Sequence, residues 1–156
     1  MSSATPAIHF LRKHHVTFTE HEYRYEIHGG TRVSARELGV AEHAIVKTLV
    51  MEDHEREPLI VLMHGDCEVS TRQLARQTGR KTIAPCPPAV AQKHTGYMVG
   101  GTSPFGTRKV LPVYMERSIL ALKLAYVNGG RRGFLVALAP LEIQRVLNAE
   151  LVEVAI

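Results

Sequence analysis

The chain has 156 residues, of which 45% are hydrophobic and 22% charged, with a formal net charge of +4. That balance describes one ordinary globular domain, residues 1–156, and argues against a disordered or fibrous chain. The absence of tryptophan and an aromatic content of only 6% exclude an aromatic stacking platform for single-stranded nucleic acid, and no apolar run approaches the ~18 residues needed to span a bilayer.

The predicted elements run as follows. Thr5-Pro6 opens a helix through His14, a threonine cap followed by proline at the first helical position. Residues 16–25 read as a strand, 26–31 as a loop around Gly29-Gly30, and Ser34-Ala35-Arg36-Glu37 as the capping box of a short helix stopped by Gly39. Strands follow at 45–51 and 58–63, joined by the polar turn 52–57. A helix at 70–78 ends at Gly79, and a short strand at 82–84 precedes a helix at 88–94. Residues 95–106 form a glycine-rich loop and 109–115 look extended. Residues 123–128 and 134–139 flank Gly129-Gly130-Arg131-Arg132-Gly133, a hairpin signature. A helix at 140–147 and a strand at 150–154 close the chain. Helices alternate with strands but hairpins are interspersed, so the expected class is α+β: a mixed, mainly antiparallel sheet with helices packed on it.

Lys47 stands out because it interrupts Ile45-Val46-Lys47-Thr48-Leu49-Val50, where strand alternation aims it the same way as Ile45 and Leu49. A lysine there is a solvated charge on an edge strand, or it pairs with an acid, or it lines a cavity. The loop Thr95-Gly96-Tyr97-Met98-Val99-Gly100-Gly101-Thr102-Ser103-Pro104 is either a structural turn or a set of backbone donors, with Pro104 stiffening Ser103 and preorganising N–H groups at Gly100, Gly101 and Thr102. One ammonium beside one donor-rich loop would make an oxyanion site.

Arginine supplies 13 of the 19 basic residues, which suits phosphate recognition and permits a nucleic-acid partner. Arg72, Arg76 and Arg80 fall at i, i+4 and i+8, one helix face that is either solvated or a phosphate track. Arg108-Lys109 and Arg131-Arg132 are further basic pairs beside glycine turns. The nine histidines form no metal-binding spacing, with each other or with cysteine, so neither a metal nor another cofactor is expected. Cys67 and Cys86 lack an activating context and a disulfide pattern. A reducing cytosol is their simplest setting, with no signal-peptide pattern at the N-terminus. Gly-x-Ser-x-Gly and a Walker motif are both absent.

Taken in order, Thr5-Pro6-Ala7, Lys47-Thr48-Leu49, the stretch from Thr95 to Pro104, Asn128-Gly129-Gly130-Arg131-Arg132-Gly133 and Ala139-Pro140 resemble the YbaK family of trans-acting aminoacyl-tRNA deacylases, itself similar to the editing domain of bacterial prolyl-tRNA synthetases. The resemblance covers nearly the whole chain and implies that fold, no cofactor, and hydrolysis of mischarged tRNA, usually Cys-tRNA(Pro). Prolyl-tRNA synthetase is an implied partner. The family lysine corresponds to Lys47, its neighbour to Thr48, and the loop glycine to Gly100, with Gly101, Thr102, Ser103 and Pro104 completing the loop. A pocket tyrosine corresponds to Tyr23 and an aromatic position falls near His28. Asn128 stands where many relatives have serine, and Leu135 where some have a polar residue. Both departures bear on which amino acid is edited. Ala-tRNA(Pro), another small misacylated product, and a non-catalytic tRNA- or synthetase-binding module are the alternatives.

Overall fold

The computed structural model describes residues 4–156. Helix α1, Pro6–Lys13, starts as the sequence predicts: Thr5 Oγ1 accepts from the Ile8 amide at 3.2 Å, and Ala7, Ile8 and Leu11 are buried. The strand expected at 16–25 shrinks to β1, Thr19–Glu22. Before it, His15 adopts a positive φ of 57° and Val16 tucks into the core, so regular pairing begins late.

Helix α2, Gly30–Leu38, does not begin at the expected capping box. Ser34 is a buried interior residue whose hydroxyl donates to the Thr31 carbonyl at 3.1 Å. The chain instead enters the helix through Gly30, whose φ of 63° only glycine adopts freely. A 3-10 turn, Glu42–Ala44, leads into β2, Ile45–Asp53, and β3, Pro58–His64. The polar turn between them closes on Asp53, whose carboxylate accepts from the amides of Glu55 and Glu57. Helix α3, Thr71–Thr78, is capped by Ser70 and ended by left-handed Gly79. Next come β4, Ile83–Pro85, and α4, Pro88–Thr95. Of the segment expected to be extended, only β5, Val113–Glu116, pairs. The expected hairpin is present as β6, Ala125–Asn128, and β7, Phe134–Leu138, followed by α5, Pro140–Leu147, and β8, Glu150–Val152.

The strands form one mixed sheet in the order β1-β7-β6-β2-β3-β5-β8. The β1–β7, β2–β3, β2–β4 and β6–β7 pairings are antiparallel, and the β2–β6, β3–β5 and β5–β8 pairings are parallel. Both sheet faces are covered, which is why the central strand β3 reads as an unbroken apolar run. Val46, Ile60, Leu62, Val127 and Phe134 pack in one layer with Ile8 and Leu11 of α1 and Ile143 of α5. Leu59, Val61 and Met63 pack in the other with Leu74 and Ala75 of α3.

Strand β2 has an unusual outer edge. β3 pairs it from Val46 to Glu52, but on the opposite edge β6 reaches only Ile45 and Val46, and β4 only Met51 to Asp53. Residues 47–49 therefore have no strand partner there, and the Val50 carbonyl beside them accepts from the Cys86 amide at 3.0 Å.

Leu74 is fully buried under the sheet, whereas Leu141 on α5 is 67% exposed. Leu74→Ala is expected to destabilise the fold by about 2–5 kcal/mol and Leu141→Ala by no more than about 0.5 kcal/mol, measured by urea unfolding.

Candidate functional site

A cavity of about 650 Å³ opens along that unpaired edge of β2, within the range of ligand sites. Tyr23, His28, Lys47, Thr48, Gly100, Thr102 and Asn128 all line it, so most of the residues singled out in the sequence converge on one space.

Lys47 is half-buried on the sheet face that carries Leu49 and α3. The structure decides among the readings of its charge: Nζ donates to the Cys67 carbonyl at 2.6 Å, at the cavity wall. That leaves two ammonium hydrogens for a ligand. Thr48 points to the opposite face, and its Oγ1 is buried with no hydrogen-bond partner. Backbone N–H and C=O groups alternate between the two edges of a strand. Since Val50 uses its carbonyl on the open edge, the N–H and C=O of Thr48 face that edge as well.

The glycine-rich loop forms the facing wall, but its donors are not all free. Gly100 has a φ of 87°, and a Cβ there would lie 2.5 Å from the Tyr25 hydroxyl. The Gly101 amide donates to the Met98 carbonyl at 2.9 Å, within the turn itself. Ser103 is fully buried, its Oγ accepting from the Phe105 amide at 3.2 Å, and Pro104 is buried beside it. Gly101, Ser103 and Pro104 thus lie outside the cavity lining and hold the loop that presents Gly100 and Thr102 to it.

Asn128 contacts the loop directly. Its Nδ2 donates to the Gly100 carbonyl at 3.2 Å while its Oδ1 accepts from the Gly130 amide at 2.7 Å. Arg132 adds a second tie, donating from Nε to the Val99 carbonyl at 2.9 Å with its guanidinium 5.3 Å from the Tyr25 ring centre.

Sequence reasoning missed Tyr25, Val33, Glu68 and Cys86, which also line the cavity. Only Tyr25 left a signal, as an aromatic residue two positions beyond Tyr23. Cys86 reaches the cavity through β4, a strand of three residues. Burial, reinforced by the Glu52 carboxylate, pushes its thiol up to about 11. Burial and Asp66 push the Cys67 thiol up as well, and burial raises the Tyr23 phenol. Both thiols are therefore protonated near neutral pH and unsuited to act as thiolate nucleophiles.

The arginine face is shorter than its spacing suggests. Arg72 and Arg76 are exposed on α3. Arg80 lies beyond the Gly79 stop and turns inward, with Nε 3.2 Å from Asp53 Oδ2 and Nη1 donating to the Tyr114 hydroxyl at 2.7 Å. It ties α3 to β2 and β5 and does not continue the face.

Gly100→Ala is expected to cost about 1–2 kcal/mol from its left-handed φ alone, with a further cost for displacing the Tyr25 hydroxyl. Tyr25→Ala should remove the second part and leave the first, a non-additivity readable by double-mutant denaturation.

Comparison with known proteins bears on the family and the fold. Residues 30–146 match the model of the aminoacyl-tRNA editing domain. The chain is 29% identical, over 96% of its length and 92% of the relative's, to EbsC of Enterococcus faecalis, a candidate Cys-tRNA(Pro)/Cys-tRNA(Cys) deacylase. It is 27% identical over 55% of its length to a proline–tRNA ligase of Brachyspira hyodysenteriae, matching 15% of that enzyme. Its fold superposes with a TM-score of 0.85, at 20% identity and 99% coverage of both chains, on the crystal structure of a candidate trans-editing enzyme for prolyl-tRNA synthetase. The chain belongs to the aminoacyl-tRNA editing domain family.

Proposed function

We propose that this protein hydrolyses the ester of mischarged tRNA in trans, with Cys-tRNA(Pro) as its main substrate. The observation that carries the reading is that Lys47 and the Gly100 loop share one cavity, built on the open edge of β2. An aminoacyl ester is already activated, so hydrolysis chiefly needs its carbonyl oxygen stabilised as charge develops. The two remaining Lys47 hydrogens and the Thr48 amide are donors suited to that task, or to a phosphate of the terminal nucleotide. The attacking group is water, or the cysteinyl thiol of the substrate itself, whose sulfur would bond to the ester carbon as the tRNA ribose oxygen leaves with a proton, giving a cyclic thioester that water then opens; the protein's own thiols are held neutral.

The pocket walls favour a small acyl group. Val33, Ile45 and Leu135 line the cavity and offer apolar contact to a cysteine or alanine side chain. Such walls separate substrates of similar size by only about 10–200-fold. A deacylation panel across Cys-, Ala-, Ser- and Pro-charged tRNA(Pro) should therefore show Cys fastest and Ala within that range. Comparable hydrolysis of Pro-tRNA(Pro) would overturn the editing role. Prolyl-tRNA synthetase, as the source of such mischarged tRNA, is the partner this reading implies.

Lys47→Ala should lower single-turnover deacylation about 10²–10³-fold while the circular dichroism spectrum stays that of the wild type. An unchanged rate would remove Lys47 from the mechanism and favour a non-catalytic tRNA-binding module.

The tRNA body is expected to run along α3. Thr71, at the start of that helix, lines the cavity, and Arg72 and Arg76 are exposed beyond it. Replacing both arginines by glutamine should weaken tRNA binding and reduce the log–log salt slope by about 2, near 0.9 per phosphate contact, with little change in the Cys-to-Ala rate ratio. Arg80→Gln should instead act through stability, because its partners are Asp53 and Tyr114. An unchanged salt slope in the double variant would mean that the α3 face is only solvated.

A further inference from the structure

A second cluster of chemically active side chains sits outside the cavity lining, on the far side of the Lys47 anchor. His43 belongs to the 3-10 turn before β2, and Asp66 and Cys67 to the turn between β3 and α3. His43 Nδ1 lies 2.8 Å from Asp66 Oδ1, and Cys67 Sγ donates to the same oxygen at 3.5 Å. All three donor atoms fall within 4.8 Å of one another. Twenty-three positions separate His43 from Asp66, so no sequence spacing signalled the group.

The geometry suits one kind of ligand. A tetrahedral zinc ion holds nitrogen, oxygen and sulfur at about 2.0–2.3 Å, which places its donors about 3.3–3.6 Å apart along the edges of the tetrahedron. The sulfur–oxygen pair is already at that separation, and the nitrogen–oxygen pair must open by about half an ångström. Imidazole, carboxylate and thiolate together also form a mixed donor set that favours zinc over magnesium or calcium, which take oxygen ligands.

The frame around the three is fixed by bonds that do not involve the donor atoms. Gly65 donates its amide to the Ile45 carbonyl at 2.6 Å, and Cys67 donates to the His64 carbonyl at 3.1 Å. The buried His64 ring stacks on His43 with centroids 3.6 Å apart, and its nitrogens contact the His43 carbonyl and Ser118 Oγ, each at 2.7 Å. The His43 and Asp66 side chains are 48% and 43% exposed, so an ion can reach them from solvent.

We propose that His43, Asp66 and Cys67 form a binding site for a zinc-type divalent cation, which displaces the Cys67 thiol proton to solvent as it binds, with water in the fourth position. The Cys67 carbonyl is the acceptor that holds Lys47, so an ion on its sulfur would fix the peptide from which that ammonium hangs. The site does not rest on the deacylase reading, and its test does not use deacylation.

The full-length protein, freed of metal and kept reduced without thiol reagents, is titrated with cobalt(II) alone. The expected result is one equivalent bound, with visible bands of tetrahedral cobalt and a near-ultraviolet thiolate-to-cobalt band, both removed by adding zinc. The thiolate band should be lost in Cys67→Ser, weakened or lost in His43→Gln, and kept in Cys86→Ser. Cys67→Ser is a near-isosteric change, and its circular dichroism spectrum verifies folding. A zinc-dependent rise in melting temperature of the wild type, lost in Asp66→Asn, gives a second readout. Absence of the thiolate band in the wild type would overturn the proposal, as would its persistence in Cys67→Ser.

Discussion

The central constraint is the unequal pairing of β2. On one edge it is bonded to β3 through seven consecutive residue pairs; on the other, β6 and β4 each take one end and leave the middle open. A strand in the centre of a sheet normally spends its N–H and C=O groups on both neighbours. Here the two partial partners hold β2 in the sheet while the stretch between them stays available to a ligand. Everything the cavity offers follows from that gap: the facing Thr48 backbone, the room for the glycine-rich loop, and the exposure of Lys47 to a space that is neither core nor open solvent.

The rest of the fold keeps this opening rigid. The core layers on the two sheet faces clamp β3, and through it β2. Arg80 joins the end of α3 to Asp53 at the end of β2 and to Tyr114 of β5. The Cys67 carbonyl, at the start of the turn into α3, takes one hydrogen of Lys47. A half-buried ammonium needs a hydrogen-bond partner where water is excluded, and the Cys67 carbonyl supplies one without the pairing charge that a carboxylate would bring.

Much of this was legible in the sequence where signals are local. Thr5-Pro6, the Gly79 stop and the glycine-rich hairpin each act within a few residues, and each appears where expected. Alternation alone placed Lys47 among apolar neighbours, and the loop composition marked its facing wall. The failures come from competition between signals. Ser34 and Glu37 match a capping box, yet a glycine upstream could turn the chain earlier, and burying Ser34 inside the helix won. Arg80 kept the spacing of a helix face after the helix itself had ended. The commitments of the Gly101 amide and the Ser103 hydroxyl, and the meeting of His43 with Asp66 and Cys67, depend on how the chain folds in three dimensions, which no window of sequence displays.

Asn128 carries a different kind of consequence. Its amide joins the carbonyl of Gly100 to the N–H of Gly130, so one side chain bridges two turns that are distant in sequence. It works as a joint as well as a wall. The glycine-rich loop inherits its rigidity from the β6–β7 hairpin, and neither turn is free to drift alone. A change of length or curvature in the 129–133 turn would reach the loop through this amide. Across a lineage the two segments are expected to co-vary, with position 128 recording which pairing of turns each protein has settled on.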